Sequence, residues 1–276
     1  MVKRVYLSPS DQRRNTYAVG NTTEDVQCGR IAEACRIALE RSGVEVMLGQ
    51  YDTMQNRVAA SNRFKADLHV PIHSNACNGK ASGTHLFCYS NTRDSKGSYI
   101  IDKNSAGYRA CKAVLDVLGP LTPGTPDVIR AYPALYEVKH PAAPTVYIEV
   151  DFHDVPRVAE WIIANTTVIG ETIAKGLCAA LGVAFVAGEN TPEPVPVQPT
   201  QAETVQAAVR VLRRGMTGAD VRTLQAALNA GGFDCGAADG AFGAATEAAL
   251  KRFQGRYKLG ADGIAGQGTW GKLLGQ

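Results

Sequence analysis

Ala66-Asp67-Leu68-His69-Val70-Pro71-Ile72-His73-Ser74-Asn75-Ala76 is an apolar run that breaks off into small and polar residues. Leu68, Val70 and Ile72 alternate onto one face, so the stretch reads as a strand that delivers an imidazole, His73, to the rim of a sheet. Open α/β proteins place their chemistry at that rim, outside the carboxyl ends of the strands. A single histidine carries little alone, because many are structural or surface groups. Its company is what points to chemistry. Glu24 opens an amphipathic helix, and Glu149 ends the apolar strand Thr145-Val146-Tyr147-Ile148. One imidazole and two carboxylates together read as a zinc hydrolase.

Outward from that strand the periodicity changes regularly. Residues 5–8 read as a first strand, which turns through Ser8-Pro9-Ser10-Asp11-Gln12 into a polar loop reaching Thr23. Thr22 and Thr23 are suitable caps for a helix over 24–41, with Ile31, Ala34, Cys35, Ala38 and Leu39 on one face and Gly43 ending it. A strand over 44–48, a helix over 54–64 and the strand 68–73 complete a βαβαβ order. That order predicts an α/β fold, a doubly wound and mostly parallel sheet with helices on both faces. Further strands are expected at 84–89, 134–138 and 145–150. A helix should carry Ile100, Ile101, Tyr108, Cys111, Val114 and Leu115, and Pro156 should open a long closing helix through Trp161, Ile169 and Leu177.

At 276 residues the chain allows one substantial domain and a small one. We place the larger at 1–186, a linker at 187–206 and the smaller at 207–276. The linker assignment rests on Pro192, Pro194, Pro196 and Pro199 within a polar stretch. Beyond it lies an internal repeat: Asp239-Gly240-Ala241-Phe242-Gly243 with Thr246 and Leu250 recurs as Asp262-Gly263-Ile264-Ala265-Gly266 with Thr269 and Leu273. Each copy is a Gly-rich turn leading into a short helix, giving a small all-α domain with no catalytic residue. A net charge of +3 is too mild for a nucleic-acid surface but suits an anionic polymer. Seven cysteines without a Cys-x-x-Cys pair read as reduced, mostly buried thiols. The amino-terminal residues contain no apolar stretch of signal-peptide length and no segment is long enough to span a membrane. The expectation is a monomer made in the cytoplasm that acts on its polymer after release, with neither nucleic acid nor membrane as partner.

Leu212, Gly215, Gly218, Val221, Leu224-Gln225, Asp239-Gly240, Phe242-Gly243, Phe253-Gln254, Asp262-Gly263 and Thr269-Trp270 resemble the pattern of the three-helix peptidoglycan-binding domain. The resemblance implies bacterial peptidoglycan as partner and an anchoring role. Residues 1 to about 182 resemble the zinc-dependent N-acetylmuramoyl-L-alanine amidases, through Glu24, Ile72-His73-Ser74-Asn75, Gly83, and Pro144 to Glu149 followed by Phe152. That resemblance implies Zn2+ held by Glu24 and His73, with Glu149 as catalytic acid/base. It implies cleavage of the amide between N-acetylmuramic acid and L-alanine of the stem peptide, in an endolysin or an autolysin.

At one position the chain departs from that family. A histidine is usual in the loop after the first strand, and here no histidine precedes His69. Asp11, Gln12 or His153 could supply the third ligand. A set of two histidines and one carboxylate is common in zinc hydrolases and favours His153. In an extended strand His153 would share the face of Glu149 at a distance of roughly 13 Å, so the chain must turn over the sheet there. The other reading of His153 is a cap near the closing helix. Two further functions stay open at this point: a metal-free wall-binding protein with a degenerate hydrolase domain, and a peptidase acting within the stem peptide.

Overall fold

The computed structural model describes residues 2–189, 191–196 and 211–273. The chain divides into two compact units, Met1–Val197 and Gln198–Gln276. The first is built from β1 (Arg4–Pro9), α1 (Glu24–Arg41), β2 (Glu45–Leu48), α2 (Met54–Phe64), β3 (Leu68–Asn75), β4 (His85–Cys88), α3 (Ala106–Leu118), β5 (Val128–Ala131), α4 (Tyr136–Lys139), β6 (Tyr147–Phe152) and α5 (Pro156–Leu181). The six strands form one sheet in the order β2-β1-β3-β6-β4-β5. All neighbours pair in parallel except β4 with β6. Only residues 76–84 separate β3 from β4. A parallel return needs a crossover of about a dozen residues or more, so β4 runs back against the sheet.

Alternation divides the chemistry between the two faces. Val70, Ile72, Leu86, Ile148 and Val150 share one core with Cys28, Ile31, Cys35 and Leu39 of α1, Cys111 and Val114 of α3, and Trp161, Ile162, Ile169 and Ile173 of α5. Close contact between α1 and α5 depends on Gly170. A Cβ there would stand 2.5 Å from the Ile31 carbonyl oxygen and 2.6 Å from Ala34 Cβ. The opposite face is covered more thinly, by α2 and α4. There the alternate residues His69, His73, Tyr147 and Glu149 are polar or amphipathic, and this is the face that carries the site.

Three elements differ from the sequence reading. The strand expected at 134–138 is the short helix α4, and β5 instead occupies 128–131. The helix expected to carry Ile100 and Ile101 begins only at Ala106, capped by Ser105, whose Oγ accepts from the Tyr108 N–H at 3.1 Å. Both isoleucines precede it in irregular chain that holds a single bridge between Arg93 and Tyr99.

The expected linker falls partly outside the described residues, at 190 and 197–206. Its described part stays on the first unit. Asn165, buried in α5, accepts from Val195 N–H at 2.8 Å and donates to Val195 carbonyl oxygen at 3.0 Å.

The second unit contains α6 (Ala219–Ala230), α7 (Ala244–Arg256) and α8 (Gln267–Leu273) around Leu212, Leu224, Phe242, Leu250, Phe253 and Trp270. The sequence repeat is a repeated hydrogen-bond clamp. Gln225 Nε2 donates to Asp239 Oδ1, the Ala241 carbonyl and Thr246 Oγ1 at 2.9–3.1 Å, while its Oε1 accepts from Gly240 N–H. Gln254 repeats each bond with Asp262, Ile264, Thr269 and Gly263.

Candidate active site

His73, Glu149 and His85 lie side by side on β3, β6 and β4, because register pairs His73 with Glu149 and Glu149 with His85. Glu24 comes to this row from the first turn of α1, and its Oε1 accepts from His73 Nδ1 at 2.8 Å. The His73 ring stacks on Tyr147, two residues before Glu149, with centroids 4.8 Å apart and planes 14° from parallel. Glu24 and His73 are buried. Burial works against the charged form of Glu24. The hydrogen bonds and charge of His73, with bonds from Asn15 and Ser10, outweigh it and hold the carboxyl below its ordinary value. His73 is the complement: burial opposes its charge, but the Glu24 bond and the charges of Glu149, Glu24 and Glu137 raise its pKa.

Glu149 is perturbed the other way. Burial, against the pull of His73 and with the repulsion of Glu24, pushes its pKa up to about 7. Its Oε2 is buried and has no hydrogen-bond partner. A carboxyl in that state changes protonation at neutral pH, as a group acting as both acid and base must.

His153 is not brought to this group, and the reason is one residue of register. Between β3 and β6 the pairing passes from His73 opposite Glu149 to Asn75 opposite Phe152, so three residues of one strand answer two of the other. Such a bulge reverses the faces of everything after it. His153 therefore lies on the α1 side, where its Nδ1 is 2.9 Å from Ser74 Oγ and its ring stacks on Tyr17 at 4.7 Å. The structure thus brings Glu24 and His73 together without His153, and among the described residues no three His, Cys, Asp or Glu side chains are grouped as a metal site.

Gln12 stands beside Glu24 and His73 instead. Its Nε2 is 3.5 Å from Glu24 Oε1 and 3.3 Å from His73 Nδ1. Asn15 Nδ2 donates to both Gln12 Oε1 and Glu24 Oε2, at 2.7 and 2.8 Å. A cavity of about 520 Å³ opens from this group and is lined by Asp11, Gln12, Arg57, His73, Glu137 and Tyr147, among others.

Glu137 lies in the stretch expected as a strand at 134–138, where a carboxylate would face solvent. Because α4 replaces that strand, Glu137 turns inward and is 2% exposed. It accepts from Ser8 Oγ at 2.5 Å and pairs with Arg57 and His69 at 3.2 Å each. Arg57 in turn donates to Pro9 carbonyl oxygen at 3.0 Å and so fixes the start of the loop that carries Gln12. No local sequence signal marked this network, since its members come from four separate elements.

A mixed six-stranded sheet with carboxylates and an imidazole gathered at its rim is the fold class of the cell-wall amidases. Residues 8–179 match the N-acetylmuramoyl-L-alanine amidase family, and the chain belongs to it. Residues 217–273 match the peptidoglycan binding domain family. The catalytic domain of CwlV, an N-acetylmuramoyl-L-alanine amidase from Bacillus (Paenibacillus) polymyxa var. colistinus, is similar in fold. Its TM-score is 0.57 at 18% identity, over 66% of this chain and all of that one. The amidase AmiC2 of Nostoc punctiforme gives 0.56 at 17% identity, over 65% of this chain and 97% of that one. A spore cortex-lytic enzyme of Oceanobacillus iheyensis is 36% identical over 98 residues, covering 36% of this chain and 32% of its own. A zinc D-Ala-D-Ala carboxypeptidase of Streptomyces albus G is 49% identical over 65 residues, covering 22% of this chain and 25% of its own. The chain thus spans about a third or less of the length of these curated relatives. The amidase family is generally zinc-dependent.

Proposed function

We propose that the first unit hydrolyses the amide between N-acetylmuramic acid and the L-alanine of the peptidoglycan stem peptide, with zinc held by Glu24 and His73 and with Glu149 as general acid and base. The observation that carries this reading is the Glu149 carboxyl: Oε2 buried without a partner, a pKa near 7, and a place directly beside His73. The donor chemistry fits zinc, which takes imidazole nitrogen and carboxylate oxygen together. What zinc supplies when bound is Lewis acidity toward the scissile carbonyl and toward water.

The chain's own residues do the rest. Glu149 takes a proton from the attacking water and returns it to the alanine nitrogen as the carbon–nitrogen bond breaks. Tyr147 fixes the plane of the His73 imidazole by stacking, and Asn15 holds Glu24 through Oε2, leaving Oε1 turned to His73. In the same reading residues 1–186 are the catalytic part, 187–206 the linker and 207–276 a wall anchor. The anchor raises the local concentration of substrate through the tether. Among the described residues no helix is long and apolar enough to cross a membrane.

The test is digestion of purified walls followed by mass spectrometry. Stem peptides with a free L-alanine amino group should be released by the zinc-loaded protein. Glu149→Gln should lower that release about 10²–10⁴-fold while retaining zinc. Cuts confined to bonds within the stem peptide, or full activity after verified metal removal, would sink the proposal.

A further inference from the structure

Three side chains from three elements place one polar atom each at the corners of a small triangle. Its sides are 2.8 Å from Glu24 Oε1 to His73 Nδ1, 3.3 Å from His73 Nδ1 to Gln12 Nε2 and 3.5 Å from Gln12 Nε2 to Glu24 Oε1. Three protein donors about 2.1 Å from one tetrahedral ion stand about 3.4 Å from one another, so the triangle has the size of a metal's ligand face. Hydrogen bonding accounts for two of its sides, His73 Nδ1 and Gln12 Nε2 both facing Glu24 Oε1, but not for the third. If His73 Nδ1 carries a proton toward Glu24, it cannot accept from the Gln12 amide 3.3 Å away.

The loop is built to hold Gln12 at that corner. Arg57 donates to Pro9 carbonyl oxygen, Ser10 N–H donates to Ile72 carbonyl oxygen at 2.9 Å, and Gln50 Nε2 donates to Ser10 carbonyl oxygen at 2.9 Å. Ser10 Oγ then accepts from Gln12 N–H at 3.2 Å. Neither rival donor is so placed. His153 has its Nδ1 2.9 Å from Ser74 Oγ and its ring stacked on Tyr17, and the Asp11 carboxylate faces Arg57 at 3.9 Å with over a third of its side chain exposed.

We propose that the Gln12 carboxamide is the third protein donor to the metal held by Glu24 and His73, which rests on the metal reading above. Only the amide oxygen has a lone pair free to ligate. The two ends of a carboxamide exchange by a half turn about its last side-chain bond, with almost no change of shape. Gln12 therefore ligates with its oxygen turned toward His73, and the turn gives up the Asn15 bond to Oε1. A neutral amide oxygen is a weaker partner for zinc than imidazole, and its turning opposes binding further. The site thus holds zinc through one carboxylate, one imidazole and one amide, and more weakly than a second imidazole at the Gln12 corner would allow.

The experiment is competition for zinc against a chromophoric chelator, using the full-length protein and variants whose circular dichroism shows them folded. Gln12→Ala should weaken zinc binding about 100-fold or more, beyond the 10–100-fold typical of a residue that only supports a ligand. Gln12→His should tighten it at least about tenfold relative to the unaltered protein, a gain that a purely structural glutamine does not predict. Asp11→Ala should stay within about threefold, and His153→Ala, which braces the loop from behind, should lose less than Gln12→Ala does. Zinc binding by Gln12→Ala equal to the unaltered protein overturns the assignment and leaves the metal reading standing. Loss in Gln12→Ala without any gain in Gln12→His over Gln12→Ala also overturns it, assigning Gln12 to the shape of the loop. Absence of saturable zinc binding by the unaltered protein overturns both readings.

Discussion

Glu149→Gln is expected to stabilise the metal-free protein at alkaline pH while it abolishes turnover. The carboxyl has its pKa pushed from 4.5 to about 7 by burial, with Glu24 repelling and His73 only partly offsetting. A carboxyl whose pKa rises on folding holds its proton more tightly in the native state than in the unfolded one. Between those values the native chain carries a proton that the unfolded chain has lost. This contribution to stability is fully present below about 4.5 and is lost as pH rises through about 7. The gap, at about 1.4 kcal/mol per pH unit, reaches roughly 3 kcal/mol. Because the residue is only half-buried, screening leaves on the order of 1–3 kcal/mol.

Glutamine keeps the shape and does not titrate. The stability of the variant minus that of the unaltered protein should therefore widen by about 1–3 kcal/mol from pH 4.5 to pH 8. Urea unfolding of the first unit across that range, with chelator throughout, measures it. Only the difference between the two proteins is informative, because Glu24, held low by its partners, moves both curves in the opposite sense. A difference that stays flat with pH, or narrows as pH rises, would show that the Glu149 carboxyl is not held near neutrality by its surroundings.

Asp151, buried in β6, accepts from the N–H groups of Gly83, Gly124 and Phe152 at 2.8–3.0 Å, so Asp151→Ala should destabilise the first unit by about 2–5 kcal/mol in urea unfolding. Asn165→Ala removes both bonds to Val195 and should speed limited proteolysis between residues 183 and 196, with the melting of the first unit little changed. Gln225→Ala and Gln254→Ala break equivalent clamps and should each cost the second unit about 2–3 kcal/mol, read in thermal unfolding of the full chain.

Where local pattern and tertiary packing agree, the chain is legible. The helices at 24–41 and 54–64 have the limits read from the sequence, although Thr23 makes no side-chain capping bond at the first and the cap of the second is Thr53, whose side chain accepts from Asn56 N–H. Glu24 and His73 could be found because each stands at an end of such an element. The β4–β5–α4 region is not legible in the same way. Its short strands gain their hydrogen bonds from partners far along the chain, and the direction of β4 depends on a loop length rather than on its own residues. Glu137 was missed for that reason, since a helix placed where a strand was expected turns an outward carboxylate into a buried one.

The misplacement of His153 has the most informative cause. A bulge is a relation between two strands, so the spacing from Glu149 to His153 cannot reveal it. The structure shows what holds it: Asp151 lies between Glu149 and Phe152, and its carboxylate satisfies three backbone N–H groups at that irregularity. Glu149 is left on the side of His73, and the chain beyond is sent to the side of α1. There His153 acts on the site from behind. Its carbonyl oxygen accepts from Ala18 N–H at 3.0 Å, and its ring stacks on Tyr17, whose hydroxyl is 2.9 Å from Ser74 Oγ. Ala18 and Tyr17 belong to the same loop as Gln12 and Asn15. His153 thus buttresses, from the opposite face, the segment that carries the amide to Glu24 and His73.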